Sequence, residues 1–316
     1  MAAAAFAGTL SGNIPEINAV LAAYGITGVA LREWQLDGGR VLPTGDVWVS
    51  GEVDTGIFAS GDGTQASPYL IRTAEQLRAF AGSLNNKINY ADKYVALDAD
   101  IDVSDAAWTP IGGSDWAFAG TFDGRGHTIS GLTVGSASAP LALDGDNLFI
   151  GLFGVLEKTA VVRDVALRNV AFYTSYEATA YVGGIAGYLN GSGESNVFTG
   201  AVVDGCSVSG TISHTSAKGN QFVGGIVGMQ YKGAVINSAS FADLSCTVLS
   251  GDLAEVGGLV GLNNRGLVAN SYAVCSVYGS GSRENGNEGM AVVSALVALS
   301  LIHISAPTRR TPISYA

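Results

Sequence analysis

The sequence carries little charge, and most of that charge is negative. Only 14% of its 316 residues are Asp, Glu, Lys or Arg, and the formal net charge is -11. The Lys and Arg residues form no cluster that could neutralise a run of phosphates, which is what nucleic-acid binding requires. We therefore expect no nucleic-acid partner.

Reactive side chains are also scarce. The three cysteines, Cys206, Cys246 and Cys275, form no CxxC pair and are odd in number, so neither a disulfide framework nor a cysteine metal site is supported. We expect small buried thiols instead. No histidine is followed by a second one four residues later, which excludes an HExxH zinc site. GxSxG, P-loop and GxGxxG motifs are absent too, so we expect no metal or cofactor.

Signals for export and membrane insertion are missing from the sequence. Residues 1–6 lack the basic start and the apolar core of a signal peptide. The longest apolar run, residues 290–302, is interrupted by serines and is shorter than the ~20 residues that span a bilayer. We expect no membrane span in this chain.

Glycine, in contrast, is abundant and organised in a repeat. The phrases VGGIAG, VGGIVG and VGGLVG end at Gly187, Gly228 and Gly261, and LFG, ending at Gly154, is a degenerate copy. The intervals between these last glycines are 33, 41 and 33 residues, and a fixed period of this kind indicates a solenoid. The glycines predicted to have a structural role are Gly183, Gly184, Gly187, Gly224, Gly225, Gly228, Gly257, Gly258 and Gly261.

A second repeated phrase begins at Gly200, Gly233 and Gly266, and aligning the copies on these glycines places eight extra residues before Gly200. The aligned columns are Val161, Val202, Val235 and Val268; Leu167, Val208, Phe241 and Val274; and Asp204, Asn237 and Asn270. We expect the apolar columns to be buried in stacked strands and the Asn side chains to form a ladder. The glycines would provide positive φ angles or close backbone contacts. A sandwich or barrel with chance similarity is the alternative.

The residues before the repeats are predicted to contain helices as well as strands. Residues 1–58 form a short α/β segment, with a helix from Asn13 to Tyr24 and strands at Val29–Gln35 and Val47–Val53. This segment is either the end of a preceding domain or a cap.

The predicted β-helix occupies residues 59–285 and opens with one capping helix. That helix starts at Thr73, has Gln76 as the second member of a capping box, and carries Leu77, Phe80 and Leu84 on one face. Such a helix would cover the exposed end of a solenoid.

The end of the chain is expected to differ from the repeats. We interpret residues 286–298 as a truncated continuation of them. The run LSLIHIS, from Leu299 to Ser305, matches what a transposon-end adapter used in sequencing libraries would encode. Residues 299–316 are therefore interpreted as an adapter scar that is no part of the fold.

Several phrases resemble those of bacterial surface proteins with GLUG repeats, a group that includes the non-catalytic region of IgA-specific metallopeptidases. The phrases are GDGTxxxPYLIRTAEQL, ALDADIDVS, WTPIG, FAGTFDGRGHTISGLTV and GLFG, followed by units of the form VGGLVG…NSYA. Residues 270–273 match this unit best, whereas residues 237–240 depart at the aromatic position. The resemblance covers roughly residues 59–280. It implies a right-handed parallel β-helix on a secreted, cell-surface protein.

The acidic residues Asp98, Asp100 and Asp102 are the best candidates for chemistry. On one strand, alternate residues share a face at roughly 6.5–7 Å, so these carboxylates could bind a cation or act as an acid/base pair on a sugar. Asp123 and His127 could form a second acid/base pair. The structural alternatives are that Asp102 caps a turn and that His127 bonds to a neighbouring coil.

Aromatic side chains offer a further way to bind sugars. The residues considered are Trp108, Trp116, Phe172, Tyr173, Tyr176 and Tyr181. Exposed rings there could stack on sugar rings, and burial in the core is the alternative.

Together these features predict an all-β, right-handed parallel β-helix with a short N-terminal α/β segment and one capping helix. The predicted function is that of a non-catalytic, secreted or cell-surface repeat protein, in truncated form. It would serve as a spacer or as an adhesive surface for host glycans or surface proteins. One alternative is a polysaccharide-active enzyme that uses Asp98, Asp100, Asp102, Asp123 and His127. The other is the stalk of a larger surface peptidase.

Overall fold

β-Strands are the main secondary structure of the described chain, and most of them form four parallel sheets around one apolar core. In this computed structural model, the residues described are 3–23, 31–37, 40–43, 56–85, 89–142, 147–192, 200–249, 253–281 and 290–300. They also include three helices and one antiparallel strand pair.

The first segment contains two helices and a hairpin, namely α1 (Ala3–Gly12), α2 (Ile14–Ala23), β1 (Trp34–Asp37) and β2 (Arg40–Pro43). Asn13 precedes α2, as predicted, and its carbonyl oxygen accepts a hydrogen bond from the Ile17 amide. The strand predicted from Val29 begins only at Trp34, and the strand predicted at Val47–Val53 lies outside the described residues. Helix α1 was not predicted, because its Ala- and Gly-rich sequence has no apolar periodicity.

A second segment starts the parallel sheets with short strands. It contains β3 (Tyr69–Ile71), α3 (Ala74–Asn85), β4 (Tyr94–Leu97), β5 (Ile101–Asp102), β6 (Thr121–Asp123), β7 (Thr128–Ser130), β8 (Thr133–Val134) and β9 (Leu141–Ala142). Helix α3 packs as expected of the capping helix, because Leu77, Phe80 and Leu84 are fully buried in the core. The Gln76 amide donates to Thr73 Oγ1 over 3.2 Å, while Gln76 Oε1 accepts from the amide of Arg72 over 2.8 Å.

From residue 147 the chain passes repeatedly through four sheets, here named A, B, C and D, in that order. The first pass is β10 (Asn147–Ile150), β11 (Phe153–Leu156), β12 (Val161–Arg163) and β13 (Ala166–Ser175). The second is β14 (Thr179–Gly183), β15 (Ala186–Leu189), β16 (Val202–Asp204) and β17 (Ser207–Ser216). The third is β18 (Gln221–Gly224), β19 (Val227–Tyr231), β20 (Ala234–Ile236) and β21 (Ala239–Val248).

The fourth pass is β22 (Leu253–Gly257), β23 (Val260–Asn264), β24 (Leu267–Ala269), and β25 (Tyr272–Ala273) with β26 (Val277–Gly281) in sheet D. Strands β27 (Met290–Ser294) and β28 (Val297–Ser300) then extend sheets A and B. Each strand pairs in parallel with its counterpart in the neighbouring pass. This arrangement is consistent with a β-helix-like all-β fold.

The predicted valine column is right in its sheet but wrong by one residue in its register. Val235 pairs with Val268, and both are buried. Val235 pairs on its other side with Val203, not with Val202, which is only half-buried. The offset between the second and third passes falls from 41 residues in sheet B to 32 in sheet C. The second pass therefore carries nine more residues than the third at this point, because Gly200 and Gly233 are not equivalent. Compared with the first pass it carries the predicted eight, since the offset rises from 33 residues in sheet B to 41 in sheet C.

The same shift of one residue changes the sheet face on which the later members of the second predicted column lie. Leu167 and Val208 pair and are buried, but Val208 pairs next with Ser240. Phe241 therefore lies on the opposite face of sheet D, and Val274 is 61% exposed. A shift of one residue moves a side chain to the other face of a sheet, so this column was wrong beyond Val208.

The polar column, in contrast, is a ladder as predicted. Asn237 Nδ2 donates to Asp204 Oδ1 over 2.7 Å, and Asn270 Nδ2 donates to Asn237 Oδ1 over 2.8 Å. Asn237 and Asn270 occupy the left-handed region, with φ of 50° and 46°. Gly205 (φ 64°) takes this position in the second pass, so Asp204, one residue earlier, supplies the ladder oxygen there.

The repeat glycines serve close approach rather than positive φ. None of the nine has a positive φ. A Cβ on Gly183 would lie 2.3 Å from the Ala186 oxygen, and one on Gly228 would lie 2.6 Å from the Val182 nitrogen. Backbone of sheet A therefore rests directly on backbone of sheet B, where any side chain would collide.

Two residues of the segment interpreted as an adapter scar belong to a strand. Leu299 and Ser300 lie in β28 and pair with Leu262 and Asn263. Residues 301–316 lie outside the described residues.

We predict that Gly228→Ala lowers the free energy of unfolding by about 3 kcal/mol, because the added methyl group pushes sheets A and B apart. Gly82→Ala is the matched control. Nothing lies within 4 Å of a Cβ at Gly82 in α3, so this change should stabilise the protein by up to about 1 kcal/mol. Urea denaturation followed by circular dichroism measures both. Equal stability of Gly228→Ala and wild type would contradict the close-contact explanation.

Candidate functional site

The acidic candidates do not share one strand face. Strand β4 ends at Leu97, and Asp98 and Asp100 lie in the connection from sheet C to sheet D, with only Asp102 inside β5. The expected alternating strand was therefore wrong, because the chain turns a corner between the two sheets at this point.

Two of the candidate carboxylates are held by arginines. Asp98 Oδ2 accepts from Arg72 Nε over 2.6 Å, and Arg125 Nη1 lies 3.7 Å from its other oxygen. Asp123 Oδ2 accepts from Nε and Nη2 of Arg163 over 3.0 and 2.6 Å. Both carboxylates are therefore occupied by charge-assisted hydrogen bonds. The cavity beside Asp123, Arg125 and Arg163 measures about 10 Å³, which leaves no room for a sugar.

His127 lies beside Asp100, not beside Asp123 as the proposed acid/base pair requires. Its Nδ1 is 3.2 Å from Asp100 Oδ1, which also accepts from the Thr128 amide over 2.8 Å. These hydrogen bonds, that of Thr128 above all, lower the pKa of Asp100. The contact joins two neighbouring passes, as in the structural alternative, and it is open to solvent.

Asp102 caps a turn. Its Oδ1 accepts from the Ser104 amide over 2.9 Å, and this hydrogen bond lowers the pKa of Asp102. Asp100 and Asp102, whose pKa values are lowered, thus lack the raised pKa of the general acid in glycoside hydrolysis. Within the described residues, no group of three His, Cys, Asp or Glu side chains could hold a metal ion.

A more extensive polar site lies where the first segment meets the repeats. Arg32 donates to Asp164 through Nη1 and to Asp204 through Nη2, the latter over 2.9 Å. The Arg32 amide donates to Asn237 Oδ1 over 2.9 Å, and Asn270 Nδ2 donates to the Arg32 carbonyl over 2.8 Å. One arginine thus contacts the corner residues of four successive passes.

Apolar contacts extend this interface on both sides. Ile17 and Leu21 of α2 pack on a strip of sheet C that consists of Ala234, Ile236, Leu267 and Ala269. Trp34 packs on Tyr272 and donates from Nε1 to Asn270 Oδ1 over 2.8 Å. The first segment therefore lies along the side of sheets C and D. No local motif marked Arg32, because its partners are far away in the sequence.

His214 is a buried group that the sequence did not single out. Its Nε2 lies 2.8 Å from Gln221 Oε1, and its Nδ1 lies 2.8 Å from Thr174 Oγ1. Since Gln221 Nε2 donates to three carbonyls, including that of Ala178, Gln221 Oε1 is the acceptor and His214 Nε2 carries the proton. Burial lowers the pKa of His214 to about 4, so this ring is a neutral structural element at neutral pH.

Glu255 is the second buried titratable group outside the predicted set. It continues a column of sheet A in which Phe149, Tyr181 and Phe222 stack at 4.9 and 5.3 Å. Its side chain is 1% exposed, and Oε2 has no hydrogen-bond partner in the described part of the chain. Burial raises the pKa of Glu255 to about 7.

The remaining aromatic candidates divide between core and surface. Trp108, Phe172 and Tyr176 are buried, and Trp108 Nε1 donates to the Gly151 carbonyl over 3.1 Å. Tyr173 and Tyr181 are half-buried, and Trp116 is 38% exposed. These rings therefore do not form one exposed platform.

The cysteines behave largely as predicted. Cys206 and Cys246 are buried, whereas Cys275 is only half-buried. Burial raises the pKa of all three, to about 12 for Cys246 and about 11 for Cys275. Thiols with raised pKa values are poor nucleophiles.

The sequence is similar to parts of two much longer proteins. The "Putative Gly-rich membrane protein" of Evansella cellulosilytica is 32% identical over 138 residues, which are 43% of this chain and 15% of that protein. Halomucin of Haloquadratum walsbyi is 31% identical over 195 residues, which are 58% of this chain and 2% of that protein. The chain thus spans less than one sixth of either relative.

No family model matches the chain. A solved structure from Bacteroides ovatus, named "putative immunoglobulin A1 protease", is 22% identical with a TM-score of 0.49 and covers 83% of this chain and 84% of its own. Among the described residues, none of the helices has the length and apolar character needed to cross a bilayer.

We predict that Glu255→Gln stabilises the protein increasingly as the pH rises. The folded pKa of about 7 exceeds the ordinary value of 4.5, so the wild type loses stability between these two pH values. Above pH 7 the variant should be more stable by about 3 kcal/mol, and at pH 4 the two should be equal. Urea denaturation across this pH range is the measurement. Glu177→Gln, at a side chain that is 75% exposed, is the control, and a pH-independent difference would refute the assignment.

We predict that Arg32→Ala destabilises the protein by about 3 kcal/mol, because it leaves Asp164 and Asp204 partly buried without a counter-charge. Lys218→Ala, which removes an exposed pair with Glu177 at 3.8 Å, should cost under about 1 kcal/mol. Adding Asp164→Asn to Arg32→Ala should recover part of the loss. Thermal and urea denaturation would test this, and an Arg32→Ala protein as stable as Lys218→Ala would disprove the role of Arg32.

Proposed function

We propose that the chain is a non-catalytic repeat segment of a bacterial cell-surface or secreted protein, folded as a right-handed parallel β-helix. The observation that carries this proposal is the repeated passage through sheets A, B, C and D with parallel pairing at every step. Parallel crossovers are right-handed in nearly all proteins. Stacked units of this kind build a rigid body whose outer faces remain available for contacts.

The names of the relatives support the cellular location. One is described as a glycine-rich membrane protein and the other as a halomucin, and the phrases of GLUG-repeat surface proteins point in the same direction. The chain covers 15% and 2% of these relatives, which fits a repeat segment within a much longer surface protein. Its role would be that of a spacer or an adhesive surface for host glycans or surface proteins.

The state of the acidic residues supports a non-catalytic role. Asp98 and Asp123 are paired with arginines, and Asp102 is occupied in a turn. A polysaccharide-active enzyme remains the second candidate because of one observation: Asp100 and His127 form a contact that is open to solvent, with side chains 74% and 35% exposed. A stalk of a larger surface peptidase would differ only in carrying a catalytic domain elsewhere in the full protein.

We expect the purified chain to release no new reducing ends from a panel of neutral and acidic polysaccharides. When the same preparation is immobilised in a solid-phase binding assay, it should bind host glycans or host surface proteins. Asp100→Asn, His127→Ala and Asp123→Asn are the variants to compare if turnover is seen, with circular dichroism as the folding control. Turnover that Asp100→Asn or Asp123→Asn abolishes in a folded protein would establish the enzyme instead.

A further inference from the structure

A surface cavity of about 570 Å³ lies at the start of the repeats and shares no residue with the acidic cluster. Its walls include Ile57, Phe58, Asp62, Tyr69, Tyr90 and Lys93. The volume falls within the usual range of small-molecule sites, about 300–1,000 Å³.

The apolar part of the cavity borders a rigid group of aromatic rings, of which Phe58 and Tyr90 are buried and Tyr69 is half-buried. Phe58 and Tyr69 stack at 4.5 Å with an angle of 14° between their planes. Tyr90 contacts both edge-on, at 6.2 and 6.5 Å. The Tyr90 hydroxyl is fixed in the interior by Ser83 Oγ at 2.7 Å, so Tyr90 offers its ring and not its hydroxyl group. Ile57, 37% exposed, adds an apolar edge.

Two charged side chains of opposite sign stand at the rim. The Asp62 carboxylate accepts from the Thr64 amide over 2.9 Å, which fixes its position. Lys93 is anchored by its backbone, because its amide donates to the Tyr90 carbonyl over 3.0 Å and its carbonyl accepts from the Thr121 amide over 2.8 Å. An acceptor and a donor of hydrogen bonds thus lie beside the apolar surface of Ile57 and Tyr69.

These features together select one ligand chemistry. A quaternary ammonium group is disfavoured by the positive charge of Lys93 and because the rings pack on one another instead of enclosing a space. A polyanion is disfavoured by Asp62 and by the net charge of -11. A purely apolar ligand is disfavoured because it could form no hydrogen bond with either Asp62 or Lys93. A neutral pyranose fits, since its C–H groups can lie against Ile57 and the exposed part of Tyr69 while its hydroxyls donate to Asp62 and accept from Lys93.

We propose that this cavity, named here the Tyr69 pocket, binds a neutral pyranose sugar. This inference rests on the proposed adhesive function and gives that function a ligand class. Because the pocket is open to the surface, we expect dissociation constants on the order of 1 mM for single sugars. Several copies of the protein on one surface would raise the effective affinity.

Saturation-transfer NMR and titration calorimetry on the full chain would test the proposal. The probes are the methyl glycosides of glucose, galactose, mannose and N-acetylglucosamine. At least one should saturate, and both Lys93→Met and Asp62→Asn should weaken it by about tenfold or more. Asn at position 62 can still accept from the Thr64 amide, so the turn is preserved.

The matched controls are Lys158→Met and Asp115→Asn, which change exposed residues of the same types elsewhere. They should bind as the wild type does, and all four variants should unfold at the wild-type temperature. Saturation that Lys93→Met and Asp62→Asn leave unchanged would overturn the Tyr69 pocket while keeping a sugar-binding surface. If none of the four glycosides binds, while the protein still binds host glycans or surface proteins in the solid-phase assay, the ligand class would be overturned but not the adhesive function.

Discussion

Direct contact between the backbones of sheets A and B is the constraint on which the remaining structure depends. At Gly183 and Gly228 the sheets approach so closely that a single added carbon would collide with main-chain atoms. The second glycine of each pair meets both a main-chain oxygen of the next pass and a side chain of sheet D, as Gly184 does with the Gly225 oxygen and Val208. This contact fixes where sheets A and B meet, and the larger side chains of sheets C and D then fill the space that remains. The glycine phrase therefore recurs because sheets A and B must come into the same close contact in each pass.

The same reasoning explains what the sequence could predict. The glycine phrase and the Asp204, Asn237 and Asn270 column depend on neighbours one pass away, so their spacing carries the information. The register of sheet C in the second pass could not be read in this way, because Gly200 and Gly233 look equivalent while the corner residue is Gly205 in one pass and Asn237 in the next. Matching glycine to glycine displaced the column by one residue.

The candidate sites were less accessible to sequence reasoning for a different reason. The carboxylates of Asp98 and Asp123 are paired with Arg72 and Arg163, 26 and 40 residues away in the sequence. The spacing of residues in the sequence cannot reveal such partners. The spacing of Asp98, Asp100 and Asp102 also predicted a shared strand face, whereas the chain turns there from sheet C to sheet D. Buried His214 and Glu255 were missed because their neighbours are contributed by other strands. The Tyr69 pocket likewise combines a strand, a turn and the connection between α3 and β4.

The position of the first segment has a consequence for the order of folding. Arg32 is separated by 205 residues from Asn237 and by 238 residues from Asn270. Loop closure over such distances is slow compared with the pairing of one pass on the next. The repeats can stack pass by pass, whereas Ile17, Leu21 and Trp34 find their partners only after the fourth pass has formed. During this interval their apolar surfaces, and the strip of sheet C that receives them, are open to wrong partners, so misassembly should begin at this late docking step.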